Sequence, residues 1–426
     1  MKAVYLSVTG QLGGGERNLL DILSGVRSAE PGWSLELIAG SDGPLASKAR
    51  ALGVRSEVLP FPRSLESLGD AAAGGPAGQG VNRLDLLKNC LLASPAILAY
   101  TARLRRLLAQ SSPDVVQSSG FKMHLLGSWA RPKRAAMVWH VQDYVRPRPF
   151  MATLLRRHAH MCTAAVTNSR SVAHDLTLNC GRHLKAYTVY NGIDLSRFSV
   201  CGPGADLDAL SGLPPAGPRT IRVGLVATFS RWKGHLVFLR ALAALPKHLS
   251  VRGYIVGGNI YQTVGSHFSL EELQREAARL DLGGRVGFTG FVEDTASVMR
   301  SLDIVAHTST EPEPFGLVIA EAMACGRPVI VAESGGAAEI VSVGANALAH
   351  RPGDVEHLAE QIRVLAADSK LRTRLGLAGR STAERSFDRG RMVSDLIPIY
   401  REICSRPDGR EKVRRKPGEP APVSAK

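Results

Sequence analysis

Short apolar runs alternate along the chain with longer stretches whose apolar residues recur at helical spacing. In the first half the strand-like runs fall at 3–7, 34–39, 54–59, 114–117, 136–140, 164–168 and 186–190. Helical patterns fill the intervals, for example 16–26 and 169–178. A second series of strand-like runs follows at 221–227, 251–257, 286–289, 304–307, 328–332 and 346–349. Strand and helix in regular alternation predict parallel βαβ units. The chain therefore reads as α/β, with two doubly wound Rossmann-like domains facing across a cleft.

Composition places the boundaries. A Gly/Pro-rich break at 201–218 separates the two series and reads as an interdomain linker between a first domain over 1–200 and a second over 219–385. A last helical stretch follows at 386–404. The polar, Pro-rich and basic end, 405–426, has the composition of a disordered tail. The Gly/Ala-rich stretch between Leu65 and Arg83 is expected to be an exposed loop.

The formal charge of +15 suggests a polyanionic or phosphorylated partner, with basic clusters such as Arg103, Arg105, Arg106 and Arg156, Arg157 in the first half. Aromatic content of 5% and the lack of a recognisable nucleic-acid module argue against nucleic acid. The six cysteines are scattered without a C-x-x-C pair, so no zinc site or disulfide framework is expected. The longest weakly polar run, 90–102, is shorter than the ~20 apolar residues a spanning helix needs. The amino-terminal residues read as a first strand rather than a leader, and a cytoplasmic location is expected.

In doubly wound folds, ligands bind at the carboxyl ends of strands. There the second half carries a run from Ser309 to Gly326 that includes Glu313, Pro314, Phe315, Gly316, Leu317 and Glu321. Pro314 reads as a helix entry, with the free amides that follow suited to a diphosphate. The two glutamates would lie roughly 12 Å apart if the interval were helical. Glu321 sits in an otherwise apolar run, so its carboxylate needs a partner. After the first strand of the second series, Arg231 and Lys233 can set fixed positive charge against a diphosphate leaving group. At the amino end Gly13, Gly14 and Gly15 open a helix and permit close backbone approach. His140 ends a strand on the cleft side; Lys122 and His124 share that setting. Asp206-Leu207-Asp208 has a metal-signature pattern but lies in the linker, away from any strand end, and no other cluster has metal-ligand spacing.

These motifs resemble the family 4 retaining glycosyltransferases of GT-B fold. The resemblance rests on the Glu313/Glu321 pair, Pro314-Phe315-Gly316, Trp232-Lys233-Gly234, Tyr190-Asn191-Gly192-Ile193-Asp194, Phe288 to Val292 and Glu333 to Ile340. It implies that the first domain binds acceptor and the second the donor, and that the final helix at 386–404 crosses back to the first domain. It also implies that Glu313 contacts the donor sugar, Glu321 the ribose, and amides near Phe315, Gly316 and Leu317 the sugar and phosphate. Gly14 and Gly15 would also touch donor, backbone near Val292 would read the base, and His140 would serve as the cleft histidine. Lys233 matches the family's diphosphate-binding lysine; the family arginine falls at Thr228, leaving Arg231 as its candidate replacement. The implied reaction moves a sugar from a nucleoside-diphosphate sugar to a saccharide or lipid-linked acceptor with retention, without metal or cofactor, in polysaccharide or glycolipid assembly. The basic clusters would allow peripheral contact with an anionic membrane at its inner face. Other readings are a nucleotide-sugar epimerase of the same fold, a non-catalytic sugar-nucleotide sensor and a polyanion-binding protein.

Overall fold

A computed structural model describes residues 1–66, 83–258 and 266–405. Most of the predicted loop at 65–83, and the tail beyond 405, lie outside the described residues. The first sheet holds β1 (Lys2–Ser7), β2 (Ser34–Ala39), β3 (Arg55–Val58), β4 (Val115–Ser119), β5 (Ala136–Val141), β6 (Ala164–Thr167) and β7 (Ala186–Thr188). The second holds β8 (Ile221–Val226), β9 (Val251–Val256), β10 (Val286–Gly290), β11 (Ile304–His307), β12 (Val329–Ala332) and β13 (Leu348–His350). Their orders are β3-β2-β1-β4-β5-β6-β7 and β10-β9-β8-β11-β12-β13. Strand order reverses between β1 and β4 and between β8 and β11, and at such switch points loops diverge and leave a crevice for ligand.

Both faces of each sheet are covered by helices, which is why the strands read as nearly unbroken apolar runs. In β1, Val4 and Leu6 enter one core while Ala3 and Tyr5 enter the core on the opposite face. In β11, Val305 packs on one side and Ile304 and Ala306 on the other.

The helix Arg389–Ser405 is last in sequence yet packs on the first sheet. Its Met392, Val393, Leu396, Ile397 and Tyr400 join the core of the helix Gly14–Ala29. Gly25 makes this approach feasible: a Cβ there would stand 2.4 Å from Cγ2 of Val393. The two crossings between units touch, with the Ile193 amide donating to Phe387 O at 2.7 Å and the Arg389 amide to Ile193 O at 3.1 Å.

The outward crossing therefore lies at 189–194, before the composition break at 201–218 expected to be the linker. That Gly/Pro-rich segment instead folds onto the second sheet. Leu207 is buried in the second core. Asp206 caps the short helix Leu207–Leu210, accepting from the Ala209 amide at 3.0 Å. Asp208 accepts from Arg252 at 2.6 Å, Tyr254 at 2.6 Å, Arg222 at 3.2 Å and the Ala216 amide at 2.9 Å. Burial opposes its ionisation, but these donors hold it well below the usual carboxylate range. Both aspartates of the metal-like triplet thus have structural partners. Among the described residues no helix is long and apolar enough to cross a membrane, and no cluster of three metal-ligating side chains occurs.

Candidate active site

Glu313 lies where the chain leaving β11 turns back toward the cleft. It forms an isolated parallel bridge with Gly335, and its carbonyl accepts from the Gly336 amide at 2.7 Å. The segment is therefore extended, and the helix starts only at Leu317, with Gly316 as N-cap at φ +93°. Pro314 is not the first helical residue, and helical rise covers only the later part of the interval from Glu313 to Glu321. The expected entry point moves because Gly316 can adopt the left-handed conformation that redirects the chain.

The Glu313 side chain is 9% exposed. Its Oε2 accepts from Lys233 Nζ at 2.6 Å, Ser309 Oγ at 2.9 Å and His307 Nε2 at 3.1 Å. Oε1 has no protein partner among the described residues, which leaves it for a ligand hydroxyl. Burial alone would raise this carboxyl, but the Lys233 ammonium and His307 hold it well below the ordinary range. His307 and Ser309 were not singled out from sequence, although both sit at the strand end that flags this loop.

Lys233 closes the 3₁₀ turn Arg231–Lys233, and its ammonium stands 3.9 Å from the Trp232 ring centroid. Gly234 follows at φ +75°, so close to β11 that a Cβ would lie 1.8 Å from Thr308 O. Arg231 takes another direction. Its guanidinium pairs with Glu272 at 3.1 Å and stacks over Phe268 at 4.3 Å. With three residues per turn, positions two apart point about 120° away from each other, so the two cations leave the turn in different directions. Thr228, at the family arginine's position, bonds Ser230 Oγ at 3.2 Å.

Glu321 lies in the helix Leu317–Ala324. Burial pushes its carboxyl up to about 7; Arg17 and Arg197 counter this, and Asp21 adds to it. Asp21 is also raised to about 7 by burial, against the pull of Arg389. Because the folded protein binds these protons more tightly than the unfolded chain, their contribution to stability is complete below the ordinary carboxyl range and is lost as pH rises through about 7. The melting temperature of ligand-free Glu321→Gln should therefore fall less than that of wild type between about pH 5 and about pH 8. Parallel curves in a fluorescence melt would refute this.

The first unit supplies the opposite wall. The helix Gly14–Ala29 follows Gly13, whose amide donates to the Glu16 carboxylate at 3.1 Å. A Cβ on Gly14 would lie 3.7 Å from Leu317 Cδ1, and one on Gly15 3.5 Å from Gln142 Oε1. Gly14 and Leu317 thus meet across the cleft, while Gly15 lies against Gln142 in the loop that follows β5. His140, buried in β5, contacts Gln142 Nε2 through Nδ1 at 3.1 Å, and burial lowers its pKa to about 4, so it is neutral at neutral pH. His124 is bonded to Ser118 at 2.7 Å and stacked on Trp139, while Lys122 donates to Leu65 O at 2.5 Å. Phe315 is a core side chain against Tyr190 and Phe387, so only its backbone can meet a ligand. Val292, just past β10, packs partly against the second core.

Two doubly wound units, with a buried glutamate and its lysine partner beside a helix start at their shared cleft, define a GT-B protein. The family model for glycosyl transferases group 1 matches residues 217–382, and that for glycosyltransferase family 4 matches residues 12–197. The chain belongs to the family 4 glycosyltransferases. It is similar to a D-inositol 3-phosphate glycosyltransferase of Xylanimonas cellulosilytica, 31% identical over 57% of this chain and 58% of the relative. The lipopolysaccharide core biosynthesis glycosyltransferase LpsE of Rhizobium meliloti is 31% identical over 50% of this chain, also across 58% of its own length. The chain thus spans less than two thirds of these curated relatives. Anabaena HepE, solved in complex with UDP and glucose, superposes with a TM-score of 0.75 at 27% identity, covering 94% of this chain and 99% of that one.

Proposed function

We propose that this protein is a retaining, metal-independent glycosyltransferase that moves a sugar from a nucleoside-diphosphate sugar to a hydroxyl of a saccharide or lipid-linked acceptor. The Glu313–Lys233 pair beside the start of the helix Leu317–Ala324 carries this reading. Glu313 Oε1 accepts from a donor-sugar hydroxyl, and Glu321, once ionised, accepts from the ribose. Lys233 and the free amides at the helix start stabilise the departing diphosphate. The bond from the sugar's anomeric carbon to the diphosphate oxygen breaks as the acceptor oxygen attacks the same face. The acceptor's proton passes to the leaving phosphate oxygen. Arg231, committed to Glu272, has no part in this scheme. Solved complexes of HepE with UDP and with UDP-glucose support a uridine nucleotide as the first donor to test. A cytoplasmic site of action at a membrane face accords with the basic first-half clusters.

A calorimetric panel of UDP-, GDP- and ADP-sugars tests this directly. Wild type should bind at least one, Glu321→Ala should bind it at least about tenfold more weakly, and the product's anomeric configuration by proton NMR should match the donor's. Inverted product would reject retention, lost turnover in chelator would reject metal independence, and no binding across the panel would reject the reading.

A further inference from the structure

The Gly335–Gly336 loop and Glu339, which the scheme above leaves unused, lie against both Glu313 and the first unit. Gly335 is so tightly enclosed that a Cβ would stand 2.3 Å from Tyr144 Oη and 2.6 Å from Glu313 O. At Gly336 it would stand 2.0 Å from Pro314 O and 2.9 Å from Ser169 Cβ. Any side chain at either position would wedge the two units apart.

Two polar ties cross the same seam. Tyr144, from the loop after β5, donates to Glu313 O at 3.3 Å and shares a hydrogen bond with Ser171 Oγ at 3.0 Å. With the Gly336 amide, this gives the Glu313 carbonyl a donor for each lone pair. The second tie is Glu339, whose carboxylate accepts the Arg170 amide at 2.9 Å, the Ser171 amide at 2.6 Å and Tyr190 Oη at 3.1 Å. Arg170 and Ser171 open the first-unit helix Arg170–Cys180, whose own cap, the Ser169 side chain, accepts from the Val172 amide. The first amides of a helix need an external acceptor, and a carboxylate there also meets the positive end of the helix dipole. Here that acceptor comes from the other unit.

The Tyr144 loop is itself held rigidly. Asp175 accepts from the Val145 and Arg146 amides at 2.5 and 3.2 Å, and Arg148 donates to Tyr144 O at 2.7 Å. His140 and Gln142 stand on the same stretch of chain.

We propose that Tyr144, Ser171 and Glu339 form an interdomain latch that positions Glu313 against the first unit, so that the donor sugar is presented to an acceptor held there. They are positioning residues, acting through the Glu313 backbone. The inference rests on Glu313 contacting the donor sugar, as proposed above. The latch should leave nucleotide affinity nearly untouched and act on the sugar-transfer step.

The test uses the full chain with Tyr144→Phe, Glu339→Ala and Glu339→Gln. In ligand-free protein, hydrogen exchange at the Arg170 and Ser171 amides should quicken at least about tenfold in Glu339→Ala and less in Glu339→Gln, whose amide oxygen still accepts. With UDP-glucose, GDP-mannose and ADP-glucose as probes, Tyr144→Phe should bind the free nucleotide within about twofold of wild type. Its kcat with the sugar conjugate that turns over should fall at least about tenfold with KM little changed. If wild type turns over a donor and Tyr144→Phe matches its kcat within about twofold, or if exchange in Glu339→Ala is unchanged, the latch is wrong while the transferase reading stands. Wild type that binds none of the probes overturns that reading, and the positioning role with it.

Discussion

Replacing Lys233 with alanine should lower kcat/KM on the order of 100- to 1,000-fold, the range seen when one preorganised charge-stabilising group is removed. Two effects combine. The departing diphosphate loses the cation nearest Glu313. The buried Glu313 carboxylate, bonded to Lys233 at 2.6 Å, is left with the neutral donor Ser309 and with His307. Its pKa should then rise, because the ammonium is the largest influence opposing burial. Steady-state rates over a pH series check both effects. Lys233→Ala should lose activity at the acid end before wild type does, and Lys233→Arg should recover part of the rate. A kcat/KM within about threefold of wild type would show that the pair is structural only.

Gly234→Ala should cost at least about 3 kcal/mol of folding stability, through two independent penalties. At φ +75° an alanine adopts the left-handed conformation, and its Cβ would lie 1.8 Å from Thr308 O. Neither atom is a flexible side-chain end, so β11 and the 3₁₀ turn must separate. That separation would strain the bond from Thr308 Oγ1 to Lys233 O at 2.8 Å and move the lysine away from Glu313. Urea denaturation gives the stability change and donor titration the loss of affinity. A cost below about 1 kcal/mol would mean that the two loops are not locked together.

The strand series was readable because strands covered on both faces leave apolar runs of strand length between glycine, proline and polar turns. The predicted runs at 34–39 and 304–307 coincide with β2 and β11. Lys233 and Glu313 were readable as candidates because each stands beyond a strand end of the same sheet, where doubly wound folds bring loops together. The crossing between units was misplaced for a related reason. Glycine and proline mark irregular backbone, but whether such a segment spans two domains or lies on one depends on partners such as Arg252 and Tyr254 for Asp208, which are distant in sequence.

Composition and periodicity by themselves determined that this chain builds two parallel-sheet units, with its chemistry at their strand ends. Those are local properties, set by which side chains tolerate burial and which turns need glycine. Tertiary structure alone decided that Arg231 turns to Glu272, that the helix beside Glu313 starts at Leu317, and that Tyr144 and Glu339 join the units around the Glu313 carbonyl. Each of these depends on a side-chain direction or a hydrogen bond between remote segments; the first two exist only once the second unit has folded, and the last only once both units have packed against each other.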